Sequence, residues 1–142
     1  MDNNYIFQYW EAIQNGTVTV GKWIKTIYEI LVNGLKSGKW DFDEEKANKA
    51  INFIENFCHH SEGRNDLLKL ELWQKAIVSA IFGIMDKRTG YRQFREVFIV
   101  VARKNGKTLF AAAIAAYMAY IDGEYGAKVY FLAPKLDQAD LV

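Results

Sequence analysis

The feature that most constrains the fold is a change of pattern near residue 96. The run from Glu96 to Val101 is short, almost wholly apolar and rich in β-branched residues, which is typical of a strand buried on both faces of a parallel sheet. The following stretch, Leu109–Ala119, is rich in alanine and predicts a helix. A second apolar run covers Lys128–Ala133. Strand, helix and strand in this order predict one right-handed crossover unit of an α/β domain.

The first two-thirds of the chain predict helices, because apolar residues recur at spacings of three and four and the segment contains no proline. Helices are expected over Tyr5–Ile13, Val20–Leu35, about Asp41–Phe57 and about Leu67–Ile84. We interpret three tryptophans of this part as core contacts between the helices: Trp10, Trp23 and Trp40. The polar segment Ser61–Asp66 predicts a surface connection and sets a domain boundary after residue 66.

The loop between the predicted strand and the alanine-rich helix contains Gly106-Lys107-Thr108. This is the context of a phosphate-binding loop, in which backbone N–H groups and a helix N-terminus hold phosphate oxygens. The lysine would contact the β- and γ-phosphates, and the threonine hydroxyl would bind Mg²⁺. Val101 stands where the general pattern has its first glycine, so the match is incomplete. Such a tripeptide also occurs by chance, and the flanking pattern is what favours function here.

The composition of the chain excludes few classes of function. The chain has 142 residues and a net charge of +1, so its overall charge gives no argument for a nucleic-acid partner. Its single cysteine, Cys58, cannot form an internal disulfide, and the chain shows neither a long apolar run nor a signal-peptide pattern. We therefore expect a cytoplasmic location and no membrane contact. Cys58-His59-His60 is a weak metal motif, since no second ligand cluster follows at zinc-finger spacing.

The chain resembles the large terminase subunits of tailed phages and prophages, in particular the HK97-like branch. Val101–Thr108 looks like that family's deviant Walker A loop, with arginine in place of the early glycine. The resemblance extends over nearly the whole chain through further motifs, which are Tyr9–Ile13, Phe42–Lys46, Leu72–Lys75, Asp122–Glu124 and Ala133–Ala139.

The resemblance implies ATP and Mg²⁺ as cofactors and assigns roles within the motifs. Arg103 and Lys107 are the expected catalytic residues, with Arg103 responding to the γ-phosphate. Gln74 resembles the family's adenine-recognising glutamine, although a plain polar helix position beside Trp73 explains it too. Thr108 is the expected Mg²⁺ ligand, and Lys135 is an expected coupling residue or simply an exposed lysine. The expected nucleotide-binding set is Gln74, Arg103, Lys104, Asn105, Gly106, Lys107 and Thr108.

The implied fold is a helical N-terminal region, residues 1–66, followed by an incomplete P-loop NTPase domain of the RecA/ASCE-like type, residues 67–142. A Walker B carboxylate needs a strand before it, and neither Asp86 nor Asp122 is expected to have one. Family members continue into the rest of the ATPase sheet and an RNase H-like nuclease, so we expect this chain to be a fragment that does not hydrolyse ATP alone.

The implied parent protein hydrolyses ATP to package double-stranded DNA into a capsid and then cleaves the DNA. Its expected partners are the DNA, a small terminase subunit, a portal ring and further copies of itself. Two alternatives stay open at this point. One is a helicase-like or other P-loop NTPase, and the other is a non-catalytic module whose helical region docks onto a small terminase subunit or a portal ring.

Overall fold

The computed structural model describes residues 4–60, 66–102, 105–123 and 126–130. Within these ranges the chain forms five helices and two very short strands. Their order is α1 (Tyr5–Gln14), α2 (Lys22–Lys36), β1 (Asp41–Phe42), α3 (Glu44–Phe57), α4 (Leu72–Gly83), β2 (Ile84–Met85) and α5 (Lys107–Tyr120). All five predicted helices are therefore confirmed, with bounds shifted by a few residues.

Local side-chain and glycine chemistry explains the ends of the first helices. The Oδ1 atom of Asn4 accepts a hydrogen bond of 3.0 Å from the Ile6 N–H, which caps the start of α1. Gly16 and Gly38 follow α1 and α2 with φ angles of +78° and +69°, a conformation that glycine adopts without the Cβ penalty of other residues.

The chain divides into two compact units, and the first contains the described residues of Met1–Ile51 and Leu70–Val97. In this unit α1 packs against both α2 and α4. The core cluster consists of Ile6, Tyr9, Tyr28, Leu31, Val32, Ala76 and Ile84. Trp10 and Trp40 pack against that cluster, as predicted. Trp23 does not, since it is 73% exposed, and its assignment to the core was wrong.

The sheet that the structure contains is small and antiparallel. Asp41 pairs with Met85 and Phe42 with Ile84. Met85 also forms an antiparallel bridge with Arg92, so β2 lies between two extended segments. Gly83 is close to β1, because a Cβ atom there would lie 2.5 Å from the ring of Phe42. This sheet lies upstream of the apolar runs in which the sequence predicted strands.

The run from Glu96 to Val101 does not form the predicted buried strand. Its residues have no strand pairing in the structure, and Phe98 is 92% and Val100 80% exposed. A parallel strand is buried only when neighbouring strands take up its backbone groups and helices cover both faces, and the described residues provide no such neighbours. Residues 128–130 of the second run are likewise exposed and unpaired. The rest of that run lies outside the described residues.

The second unit contains the described residues of Asn52–Lys69 and Phe98–Val142. Its longest element is α5, which buries Phe110, Ala113 and Tyr117 along one side. The ring of Tyr117 lies 5.7 Å from that of Phe53, which in turn stacks on Phe57 at 5.5 Å. These contacts fix the orientation of α5 within its unit. In the described ranges, no helix is both long and apolar enough to cross a lipid bilayer.

Candidate functional site

The candidate loop lies at the start of α5. Gly106 is the N-cap residue, and its φ and ψ angles of 66° and 17° place it in the left-handed region. A Cβ atom at this position would meet nothing within 4 Å. Glycine is therefore favoured by the backbone conformation rather than by crowding, and the space beside it is open. Because the helix begins directly after this residue, Lys107 and Thr108 occupy its first two positions.

The first amides of α5 are available to an anion. Gly106 has no side chain that could cap them, so the N–H groups of Lys107, Thr108 and Leu109 lack an acceptor within the helix. The Phe110 N–H is the first to bond back, to the Gly106 carbonyl at 2.9 Å. The aligned peptide dipoles favour negative charge at this end, and no acidic residue lies in the first turn.

The side chains of the loop face solvent. Asn105, Lys107 and Thr108 are all exposed. The Asn105 Nδ2 group donates a hydrogen bond of 3.3 Å to the Ala102 carbonyl, which ties the two described ends of the loop together. Arg103 and Lys104, which the sequence assigned to the same site, lie outside the described residues. Lys135 does so as well.

Gln74 lies in the first unit, whereas the loop belongs to the second. Gln74 is the third residue of α4, and this residue is only 7% exposed. Its Oε1 atom accepts a hydrogen bond of 2.8 Å from the Glu71 N–H, which is half of a capping box. This structural role was not predicted, although a glutamine three residues after an acidic N-cap residue indicates it. A carbonyl oxygen has two lone pairs, so Oε1 keeps one acceptor site.

Asp86 directly follows the strand β2, so the expectation that no strand precedes this residue was wrong. Its Oδ1 atom accepts hydrogen bonds from the N–H groups of Arg88 at 2.7 Å and Thr89 at 3.1 Å. These bonds lower the pKa of the Asp86 carboxyl below its ordinary value of 3.8. The carboxylate thus stabilises a turn. Asp122 follows the end of α5, as expected, with no strand before it.

The side chains that could bind a metal ion do not cluster in the described part of the chain. In the part of the chain that the structure describes, no three His, Cys, Asp or Glu side chains form a group suited to a metal ion. Burial raises the pKa of the Cys58 thiol, which disfavours the thiolate that binds metal. Thr108 offers a hard hydroxyl oxygen at the open end of α5. Such a ligand fits Mg²⁺, which takes most of its other ligands from phosphate and water.

Comparison with known protein families places the second half of the chain in one family. A family model described as "Terminase large subunit, ATPase domain" matches residues 72–142, a segment that includes α4, β2, the loop and α5. Neither the curated proteins nor the solved structures gave a match. Since the matched segment spans half of the sequence, the chain belongs to the terminase large subunit family through its ATPase domain.

Proposed function

We propose that this chain provides the ATP-binding loop of a motor that packages double-stranded DNA into a phage capsid. The observation that carries the proposal is the left-handed Gly106 followed at once by α5, with Lys107 and Thr108 exposed on its first turn. A helix N-terminus with its backbone amides and an exposed lysine on the first turn suit a triphosphate. The family match adds nucleotide use as a general property of the domain.

In this proposal each loop residue has a distinct role. The amides at the start of α5 hold phosphate oxygens, and the Lys107 ammonium neutralises the β- and γ-phosphates. The Thr108 hydroxyl binds the Mg²⁺ that accompanies ATP. Arg103 responds to the γ-phosphate through its planar, permanently charged guanidinium, and Lys104 adds a second positive charge. Asn105 supports the loop through its bond to Ala102.

Gln74 reads the adenine base in the same proposal. Its free lone pair on Oε1 accepts from the adenine amino group while its Nε2 donates to a ring nitrogen. The bond to Glu71 orients the amide through a backbone group. Because the side chain is mostly buried, a modest movement at the start of α4 has to accompany nucleotide binding.

The finer architecture is proposed as well. Residues 1–66 form a helical region, and residues 67–142 belong to a P-loop ATPase domain of the RecA/ASCE-like type. In that fold the run from Glu96 to Val101 pairs with neighbouring strands, which would cover Phe98 and Val100 and relieve their exposure to water. Such pairing supplies the strand end at which a phosphate-binding loop works.

The motor as a whole carries the remaining roles. Its substrate is double-stranded phage or prophage DNA, which it translocates and then cleaves through a separate nuclease region. It acts in the cytoplasm of the bacterial host as a ring of identical subunits, together with a small terminase subunit and a portal ring. The HK97-like branch is the proposed place of this chain within the family.

Equilibrium binding of a fluorescent ATP analogue to the 142-residue chain tests the nucleotide site. We expect binding that strengthens with Mg²⁺, and loss of at least about tenfold in affinity in Lys107→Ala, because a phosphate loses its paired charge. Lys128→Ala is the matched control, since Lys128 is also an exposed lysine of the second unit. Equal weakening by both substitutions, or no nucleotide binding by the wild type, would sink the assignment.

Gln74→Glu separates the two roles of the glutamine. Glutamate keeps an oxygen that accepts from the Glu71 N–H, and negative charge is tolerated at a helix N-terminus. It loses the amide donor that adenine requires. We expect Gln74→Glu to retain thermal stability but to lose the preference for ATP over GTP. An unchanged preference would remove the adenine role and leave the capping role alone.

A second candidate function is favoured by α2. Trp23, Ile27 and Ile30 recur at helical spacing, and each is at least half exposed. Contiguous exposed apolar residues on one helix face mark a docking surface more often than chance exposure. The chain would then bind a small terminase subunit or a portal ring independently of nucleotide. Trp23→Ser/Ile27→Ser should abolish that binding, and retention of full affinity would exclude this face.

A further inference from the structure

Two turns of the first unit are in contact, and each of them carries exposed basic residues. One turn connects α2 to β1 and contains Lys39, and the other follows β2 and contains Lys87 and Arg88. We call these three residues the basic corner. None of them belongs to the nucleotide-binding set, and the two turns are far apart in the sequence, so the fold alone brings these turns into contact.

Several contacts show that the turns touch. The Lys87 Nζ atom lies 3.5 Å from Asp41 Oδ1, across the pairing of β1 with β2. A Cβ atom on Gly38 would lie 3.3 Å from the same Nζ atom. The ring of Trp40 meets that of Phe94 edge-on, with centroids 5.5 Å apart. The basic corner is therefore set on packed rather than isolated turns.

Each turn is also held internally. The Lys39 N–H donates to the Gly34 carbonyl at 2.9 Å, and the Lys39 Nζ atom lies 4.9 Å from the centroid of the Trp40 ring. In the other turn, Asp86 accepts from two backbone amides, and the Gly90 N–H donates to its carbonyl at 2.8 Å. Fixed backbones reduce the entropy lost when the side chains bind a ligand.

The two turns and their flanking residues are more basic than the chain as a whole. Residues 36–42 and 86–96 contain six basic and three acidic residues, although the chain carries a net charge of only +1. Two of the acids already pair with the corner, Asp41 with Lys87 and Asp86 with Arg88 at 3.6 Å. The Arg88 side chain is 89% exposed, and exposed pairs of this kind are weak enough to exchange for another anion.

We propose that the basic corner binds backbone phosphates of duplex DNA without reading its sequence. Three exposed cations on two fixed turns suit the phosphates of a rigid duplex, and the exposed Tyr91 adds a phenolic donor after the second turn. The choice of duplex DNA over an acidic protein rests on the proposed function, which supplies that substrate. The basic corner belongs to the first unit, and the nucleotide-binding loop belongs to the second.

Fluorescence anisotropy with a labelled duplex of about 20 base pairs, without nucleotide, tests the proposal. The variant is Lys39→Gln/Lys87→Gln/Arg88→Gln. Its control, Lys22→Gln/Lys25→Gln/Lys69→Gln, removes the same charge from exposed positions outside the two turns. Far-UV circular dichroism checks that all variants fold, and Lys39→Arg/Lys87→Arg/Arg88→Lys should retain binding because it keeps the three charges.

A plot of log affinity against log salt concentration has a negative slope. Loss of three phosphate contacts should make that slope shallower by about 2.7. Between 50 and 200 mM salt, the wild type should therefore lose about 40-fold more affinity than the triple variant. An unchanged slope in the triple variant, or an equal loss in the control, would overturn the proposal. Equal competition by polyglutamate would point to an acidic protein and overturn it too. Failure of ATP binding alongside intact DNA binding would refute the nucleotide site but leave the basic corner standing.

Discussion

Replacing Gly34 with alanine tests whether the packing around Trp40 is as tight as the structure indicates. Gly34 lies inside α2, where the glycine-to-alanine change normally stabilises a helix by about 1 kcal/mol. Here the added Cβ atom would overlap Cζ3 of Trp40 and lie 2.5 Å from its Cε3. Nonpolar carbons rest about 3.5–4.0 Å apart, so the ring has to move by about 1 Å or more.

The ring is not free to make that movement at no cost. Trp40 packs against the core cluster and contacts Phe94, and an aromatic pair contributes about 0.5–1.5 kcal/mol. Overpacking typically costs about 1–3 kcal/mol. After subtraction of the helix gain, we expect Gly34→Ala to lower the free energy of unfolding by about 1 kcal/mol.

Urea denaturation followed by circular dichroism measures this change. The matched variants are Trp40→Leu, which removes the clashing ring atoms, and the double variant Gly34→Ala/Trp40→Leu. In the Trp40→Leu background the alanine should be neutral or stabilising, which gives a coupling energy of at least about 1 kcal/mol. If Gly34→Ala raises stability by its full helix propensity in the wild type, the reasoning about Trp40 is refuted.

Three further predictions concern single polar groups. Ser79 is fully buried, and its Oγ atom has no hydrogen-bond partner among the described residues. Ser79→Ala should therefore leave the free energy of unfolding unchanged or raise it by up to about 1 kcal/mol in urea denaturation. A clear loss of stability would show that the hydroxyl has a partner. Asp86 has a lowered pKa in the folded state, so its contribution is complete above its ordinary pKa of 3.8 and is lost as the pH falls through the folded value. The stability difference between wild type and Asp86→Ala should shrink from about pH 6 to about pH 2, and a constant difference would contradict the turn-capping role. Gln74→Ala should lower the melting temperature because the Glu71 N–H loses its acceptor, whereas an unchanged value would argue against the cap.

The helices could be predicted because their signals are local. Apolar spacing and terminal residues such as Asn4 and Gly38 act within a few positions of the chain, and α1 and α2 follow them closely. Periodicity also shows which residues share a face. It does not show whether another element covers that face, and Trp23 was assigned to the core for this reason.

The strands were harder to predict, because a strand forms only where a distant part of the chain pairs with it. The run from Glu96 to Val101 has the composition of a buried strand, yet a strand exists only through bonds to a neighbour. Conversely, Ile84 and Met85 form β2 because Asp41 and Phe42 reach them in space, a pairing that no short pattern announces. The basic corner arises from that same pairing and was equally hidden in the sequence.

The candidate loop was predictable in position because its motif is compact. The sequence predicted a helix over Leu109–Ala119, directly after Gly106-Lys107-Thr108, and α5 begins two residues earlier, at Lys107. The left-handed conformation of Gly106 gives a physical reason for glycine at that place. The capping role of Gln74 was not foreseen, because the resemblance directed attention to a base contact that uses the same amide.

The central claim is that the start of α5 binds the phosphates of a nucleotide. Isothermal titration of ATP and of adenosine into the wild type and Lys107→Ala tests it most directly, since the two ligands share the base and differ in the triphosphate. The account predicts that the wild type binds ATP at least about 100-fold more tightly than adenosine, and that Lys107→Ala removes most of this difference. Equal affinities for ATP and adenosine in the wild type would contradict it.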